Sequence, residues 1–376
     1  MNKIKNVVII NGFDTYEHRV ELLKTYFVEK DCNVKIITSD WMHFHKRQRA
    51  NVPEGYEMIH VKPYYKNISA DRLMSHYDFA KNALQRVEEL QPQLLWVLVP
   101  PNSLVKCAAS YKKKFPNVKL VYDFIDMWPE TMPISRFKTL PPFLFWKNLR
   151  DKHVQYGDAV VTECDLYHKL LYDNVKQDKL HTLYLARKTI PSSYELNLPK
   201  NKISLCYLGS INNIIDIRCV GDIIKKIDMP VDLHIIGDGE KKDELIKVSI
   251  ESGANVIFHG KIYNSIEKMN IFSQCHFGLN IMKETVFVGL TMKSMDYFEY
   301  GLPIINNIKG DTWDFVEKFK IGLNIGCSTE FQYKTLADMS KCREDVRRFF
   351  EEYLTYDVFE MKLGKIMDVI EGKDNL

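Results

Sequence analysis

No apolar run in the 376 residues approaches the ~18 consecutive positions a membrane-spanning helix requires, LLWVLVPP at 94–101 being among the longest. Membrane contact is therefore expected to be peripheral. No two of the eight cysteines stand within three positions of one another, which excludes a Cys-x-x-Cys metal or redox motif. Several lie in apolar runs such as CHFGLNI at 275–281, where a thiol packs as a small core group. This reduced pattern predicts a cytoplasmic protein. No Gly-x-Gly-x-x-Gly follows the first predicted strand, which argues against a dinucleotide-dependent oxidoreductase. The histidines lack zinc-ligand spacing, with HFH at 43–45 in a predicted loop, so no metal is expected. Net charge is only +3, too little to mark a nucleic-acid binder.

What charge there is falls unevenly. Residues 1–190 carry 29 Lys and Arg against 21 Asp and Glu, and the remainder carries 23 against 28. A basic first half and an acidic second half predict two domains with different partners. The length suffices for two cores, and 45% apolar content suits a folded chain.

Short apolar runs alternate with amphipathic helical stretches, the pattern of a parallel α/β protein. VVIING at 7–12 reads as a buried first strand rather than as part of a signal peptide. Further strands are predicted at NVKIITSD, MIHVKPY, LLWVLVPP, KLVYDFID and DAVVTEC, with helices at HRVELLKTYFVEKD, HYDFAKNALQRVEEL, 103–115 and 143–156. The polar, Pro-rich segment 191–202 reads as a linker, after which the pattern restarts at KISLCYLGS. The expected architecture is two doubly wound Rossmann-like domains, 1–190 and 203–352, with a C-terminal helix over 353–376 that breaks from its predecessor near Thr355–Tyr356 and crosses back to the first domain. Ligands of such sheets bind at the C-terminal ends of the strands, so the strand-to-helix loops are where chemistry is expected.

VGLTMKSMDYFEYGLPIIN at 288–306 is the most informative of these loops. Thr291 suits a helix cap after Gly289, and a helix start offers free amides and a positive dipole end to a phosphate. Lys293 adds charge in the first turn, and Asp296 lies three residues on, on the same face.

The run from Leu205 to about Leu323 resembles the C-terminal domain of glycosyltransferase family 4, whose members build bacterial polysaccharides. The matching pieces are YLGS (207–210), IIGDGE (235–240), VIFHGKI (256–262) and K-x-x-D-Y-x-x-x-G-L-P (293–303), in the family's order and spacing. VPP (99–101) and DFIDMWPE (123–130) resemble a pattern of the same enzymes' first domain. The resemblance implies the GT-B fold and a nucleotide diphosphate sugar as donor. It implies that Gly209 and Ser210 let backbone approach the diphosphate and that Gly237 and Gly239 form a turn beside it. His259, Lys261, Ile262 and Tyr263 would flank the base, while Gly289, Thr291, Met292 and Lys293 would hold the diphosphate and Asp296 the ribose. Two features depart from the family. Its first acid, eight positions before Asp296, is replaced by Val288, leaving Glu284 as a substitute; and the basic pair after the YLG loop is missing, leaving Arg218.

In the first half, Gly12 permits a turn, and Asp14, His18 and Arg19 are candidates to touch the acceptor. Asp126 is placed to position or deprotonate an acceptor hydroxyl, and Trp128 to stack on a sugar. The basic-aromatic segment 135–153 suits an anionic membrane surface or a buried helix with a snorkelling rim. The Asp-x-Asp pair by which another glycosyltransferase architecture holds a metal is missing throughout. Expected, then, is a metal-independent hexosyltransferase without cofactor, acting with retention from a UDP-linked donor on a glycan or lipid-linked glycan. A nucleotide-sugar epimerase and a non-catalytic partner subunit of the same fold are the alternatives.

Overall fold

The computed structural model describes residues 3–132, 139–187, 194–326 and 342–373. The chain divides into two compact units, Met1–Ala186 with Phe359–Leu376, and Arg187–Val358. Residues 135–138 of the basic-aromatic segment, 191–193 of the linker stretch and Cys327 lie outside the described residues.

Unit one is built on strands β1 (Asn6–Asn11), β2 (Asn33–Ser39), the two-residue β3 (Trp41–Met42) and β4 (Arg47–Gln48), then β5 (Tyr56–Ile59), β6 (Leu94–Val99), β7 (Lys119–Phe124), β8 (Ala159–Thr162) and β9 (Leu180–Thr182). Its main sheet is parallel, in the order β5-β2-β1-β6-β7-β8-β9. β6 is buried at every position, because helices cover both faces of such a sheet; this is why LLWVLV is a continuous apolar run rather than an alternating one. The helices are α1 (Glu17–Glu29), α2 (Ala70–Leu90), α3 (Asn102–Lys114), α4 (Pro141–Asp151) and the single turn α5 (His168–Leu171).

Unit two repeats the design with β10 (Ile203–Leu208), β11 (Val231–Ile236), β12 (Ala254–Gly260), β13 (Phe277–Asn280), β14 (Ile304–Asn306) and β15 (Gly322–Asn324), ordered β12-β11-β10-β13-β14-β15 and all parallel. Its helices are α6 (Ile217–Lys225), α7 (Lys242–Glu251), α8 (Ser265–Phe272), α9 (Met292–Glu299), α10 (Asp311–Phe319) and α11 (Arg343–Tyr353). The last helix, α12 (Tyr356–Glu371), begins in unit two and continues into unit one, where Phe359, Leu363, Ile366, Met367 and Ile370 are buried.

In each unit the strand order reverses beside its first strand, between β1 and β6 and between β10 and β13. Such a switch point leaves a crevice at the strands' C-terminal ends, because the two flanking connections depart to opposite faces.

Several elements differ from those read in the sequence. α2 starts six residues earlier than expected, at a Ser69 cap whose side chain accepts from the Arg72 amide. The third strand of the main sheet is Tyr56–Ile59 rather than MIHVKPY. β9, β15, α10 and the β3–β4 hairpin were not anticipated. Among the described residues no helix is long and apolar enough to cross a membrane.

Candidate active site

Three loops meet at the switch point of unit two. After β10 the backbone turns at Gly209 (φ 121°), and after β11 at Gly237 (φ 145°) and Gly239 (φ 157°). A Cβ on Gly237 would stand 1.9 Å from the Gly209 carbonyl oxygen, and one on Gly239 would stand 2.3 Å from that of Ile211. The two turns therefore touch backbone to backbone, which only glycine allows. The β12 end joins them, with Gly237 N donating to Gly260 O at 2.7 Å and Lys261 lying 4.0 Å from Asp238. The loop after β13 arrives from the other side, Lys283 N donating to Ile214 O at 2.9 Å.

That last loop ends in α9, whose placement follows from one residue. Tyr297 fills the space over Gly278, where a Cβ would meet its ring at 2.6 Å. Its hydroxyl donates to Cys206 O at 3.0 Å and accepts from Leu208 N at 2.7 Å, pinning α9 to the end of β10. At the N-terminus Thr291 and Ser294 form a capping box, and Thr291 Oγ1 donates to Asn280 Oδ1 at 2.8 Å. The box satisfies the amides of Thr291 and Ser294, which leaves those of Met292 and Lys293 for a ligand. Gly289 is buried in the loop, its carbonyl taken by Thr312.

Lys293 stands in that first turn with its ammonium 4.7 Å from the Tyr207 ring centroid, and Tyr207 in turn donates to Ser210 O at 3.0 Å. No carboxylate among the described residues pairs with it, and burial alone pulls its pKa down to about 7. One turn on, Asp296 is flanked by Arg187 at 3.5 Å and Lys268 at 3.9 Å. Burial and the Asp296 charge push neighbouring Glu299 up to about 7.

Gly209, Ser210, Gly237, Gly239, Gly289, Thr291, Met292 and Lys293 thus all lie past the C-terminal ends of β10, β11 and β13. His259 stacks on His234, ring nitrogens 3.0 Å apart, and Ile262 and the exposed Tyr263 follow on the loop beyond. Glu284 is exposed in the turn that meets Ile214. Arg218 is exposed on α6.

The candidates of unit one separate more sharply. Asp126, half-buried beyond the end of β7, accepts from the Met127 amide at 2.9 Å and the Trp128 indole at 2.7 Å. Burial raises its pKa despite those bonds. Trp128 is not free to stack on a sugar: it belongs to a cluster with Phe13, Met132 and Trp146, and the Arg72 guanidinium lies 4.4 Å from its ring centroid. Arg19 is likewise withdrawn. It is 1% exposed, forks onto both Asp123 oxygens at 2.9 Å and donates to Leu183 O at 2.7 Å. Gly12 has no left-handed φ; it is small because a Cβ would lie 3.2 Å from both Phe79 and Pro101. Asp14 accepts from the Phe44 amide at 3.3 Å, and His18 donates to Ala186 O at 2.7 Å. The sequence reading missed Glu163, one residue past the end of β8, where burial and the charge of Asp126 outweigh Arg19 and raise its pKa to about 8. It also missed Tyr16 and Arg72, whose charges and that of Asp126 act on one another, and His76, stacked on Trp128. In α4, Trp146 and Arg150 turn inward, Arg150 forking onto Glu130 at 2.8 and 2.9 Å, while Leu144 and Phe145 are exposed.

No family model matches the chain. No curated protein matches it. Solved structures do. A lipopolysaccharide outer core galactosyltransferase, WaaB, superposes with TM-score 0.66 at 13% identity over 98% of this chain and 99% of its own. Sucrose-phosphate synthase from Thermosynechococcus elongatus gives 0.69 at 12%, over 98% and 100%. Anabaena HepE in complex with UDP gives 0.66 at 11%, over 97% and 100%. The fold is GT-B. At these identities the likeness establishes the GT-B architecture, seven parallel strands in one unit and six in the other, and nothing finer.

Proposed function

We propose that this GT-B protein is a glycosyltransferase that moves a hexosyl residue from a UDP-linked donor to a hydroxyl of a glycan or lipid-linked glycan. The observation that carries the reading is Lys293, which no carboxylate among the described residues pairs, in the first turn of a helix that starts at a strand switch point. An arrangement of that kind lacks an anion, and a diphosphate has the charge and the reach to supply it. The solved structures support the choice of nucleotide, since HepE is described in complex with UDP and with UDP-glucose.

In the proposed reaction the bond from the sugar's anomeric carbon to the diphosphate breaks, and charge builds on the leaving oxygen. Lys293 and the amides of Met292 and Lys293 stabilise it, doing the work of a metal. The acceptor oxygen bonds to the anomeric carbon on the same face, and its proton passes to the departing phosphate. Asp296 holds the ribose, and the turns at Gly209, Gly237 and Gly239 let backbone approach the nucleotide. Asp126 positions the acceptor hydroxyl. The exposed Leu144 and Phe145 of α4 are the proposed contact with an anionic membrane surface, and the cytoplasm is the proposed compartment.

Calorimetry with UDP and UDP-sugars tests the donor site. Lys293→Ala is expected to weaken binding or turnover by about 1.5–3 kcal/mol, the usual worth of a charge-assisted contact. Unchanged affinity and rate remove Lys293 from the site. Asp126→Ala is expected to lower transfer while UDP affinity holds; loss of UDP binding in that variant contradicts the division of roles.

A further inference from the structure

Unit one contains a second group of cations that no carboxylate among the described residues pairs directly. Arg72, 3% exposed in the first turn of α2, donates from Nη1 to the Asn67 carbonyl and from Nε to His76 Nε2 at 3.4 Å. Its guanidinium lies 4.4 Å from the Trp128 ring centroid and 5.9 Å from that of Tyr64. Lys46, at the tip of the β3–β4 hairpin, lies 5.0 Å from the same Tyr64 centroid and bonds to Asn67 Oδ1 at 2.7 Å. His43 joins them through Tyr64 Oη at 2.8 Å and lies 3.5 Å from Lys46 Nζ. Among the described residues neither Arg72 nor Lys46 has a carboxylate within ion-pair distance. Two acids act on the cluster from beyond ion-pair distance, Asp14, which accepts from the Phe44 amide, and Asp126, which accepts from the Met127 amide and the Trp128 indole.

Aromatic faces offset part of the cost of burying a guanidinium, but they do not replace an anion. Two further features mark the cluster. With Arg72 Nε donating to His76 Nε2, the neutral imidazole carries its proton on Nδ1, and that buried atom has no partner. Lys46 is held at φ 52°, a backbone conformation lysine seldom adopts, in the turn that brings its ammonium to Tyr64. The field of this cluster is felt by its histidines: burial first, then Arg72 and Lys46, take His43 down to about 3 and His76 well below its usual range.

We propose that Arg72 and Lys46, with His43 and His76 beside them, form an oxyanion subsite in unit one that receives a phosphate group carried by the acceptor. The anion site stands on the geometry above, whereas its assignment to an acceptor rests on the glycosyltransferase reading. Such a group would bond to the remaining guanidinium N–H groups and to the lysine at once.

The test is a titration of the full chain with inorganic phosphate, followed through the imidazole signals of His43 and His76 by NMR. Both signals are expected to shift saturably in the wild type and equally in Lys293→Ala, which removes competition from the donor site. Lys46→Gln, at a half-exposed turn position that leaves the core intact, is expected to weaken the response at least tenfold. Signals that stay put in the wild type overturn the proposal, as does an undiminished response in Lys46→Gln. A phosphorylated sugar and vesicles containing phosphatidic acid are then compared; a shift of both signals with one of them identifies the source, and none with either overturns the acceptor assignment. Saturable UDP binding alongside unmoved histidines sinks this inference alone, while a chain that ignores UDP sinks the donor reading instead.

Discussion

Lys293 and Arg19 look alike in the sequence, each a base within a few residues of a strand-end loop, yet the fold uses them oppositely. Lys293 keeps an unsatisfied charge, and its pKa of about 7 has a consequence for pH. A bound diphosphate raises that pKa, so below pH 7 the group is already protonated and affinity is flat with respect to it. Above pH 7 binding must take up a proton, and affinity is expected to fall by roughly tenfold per pH unit until the bound-state pKa is reached. Calorimetry across pH, compared with Lys293→Met, isolates that slope; a wild-type slope no steeper than the variant's refutes it. Arg19 has its charge consumed by Asp123. Arg19→Ala leaves a buried carboxylate unpaired and is expected to cost about 3–5 kcal/mol. A thermal melt shows this as a lowered midpoint; unchanged stability with a raised acceptor KM would return Arg19 to the acceptor site. Sequence position reveals neither outcome, because whether a long cation turns inward depends on what the neighbouring strand places beneath it.

Among the elements, α9 has the most exacting seat. Tyr297 lies flat over Gly278 and bridges two β10 backbone groups, so the helix start, the cap and Lys293 are fixed together. Gly278→Ala puts a methyl group into that ring and is expected to cost about 1–3 kcal/mol, the usual range for overpacking a core. Because α9 must shift, UDP affinity is expected to fall with the melting temperature; a loss of stability with full affinity shows that the seat does not govern the site. The capping signal at Thr291 was legible, since a cap followed by a period-3.6 pattern needs no partner to be recognised. The three-residue strands β9 and β15 were not, because three residues carry no period, and α10 was hidden in a run the sequence reading left unassigned. α2 was read six residues short because its exposed first turns mix Leu73, Met74 and polar residues without a clear stripe.

At the scale of the whole molecule, the last helix returns the chain to its beginning. Phe359, Leu363, Ile366, Met367 and Ile370 are buried there, Lys30 pairs with Glu360 at 2.9 Å, and the Ile4 amide donates to Glu371 at 3.4 Å. Five apolar side chains at about 1.5–3 kcal/mol each amount to roughly 7–15 kcal/mol, as much as the whole stability of a typical domain. Deleting residues 359–376 is therefore expected to unfold unit one, seen as lost hydrogen-exchange protection in β1 and β6. Persistent protection there would show that the helix is a dispensable cover.

The sequence by itself determined the fold class, the restart of the strand pattern at β10, the three glycine turns and the capped start of α9. Each is written in local features, in apolar runs, helical period, a cap residue or a glycine where φ is positive. Only the tertiary structure decided which charges stay unpaired. It enclosed Arg19 with Asp123, seated Trp128 in a cluster under Arg72, and brought Glu163 and Arg72 within reach of Asp126 from separate stretches of chain. The reason is physical: a side chain's charge state and freedom depend on the dielectric and the partners around it, and those come from residues tens to more than a hundred positions away.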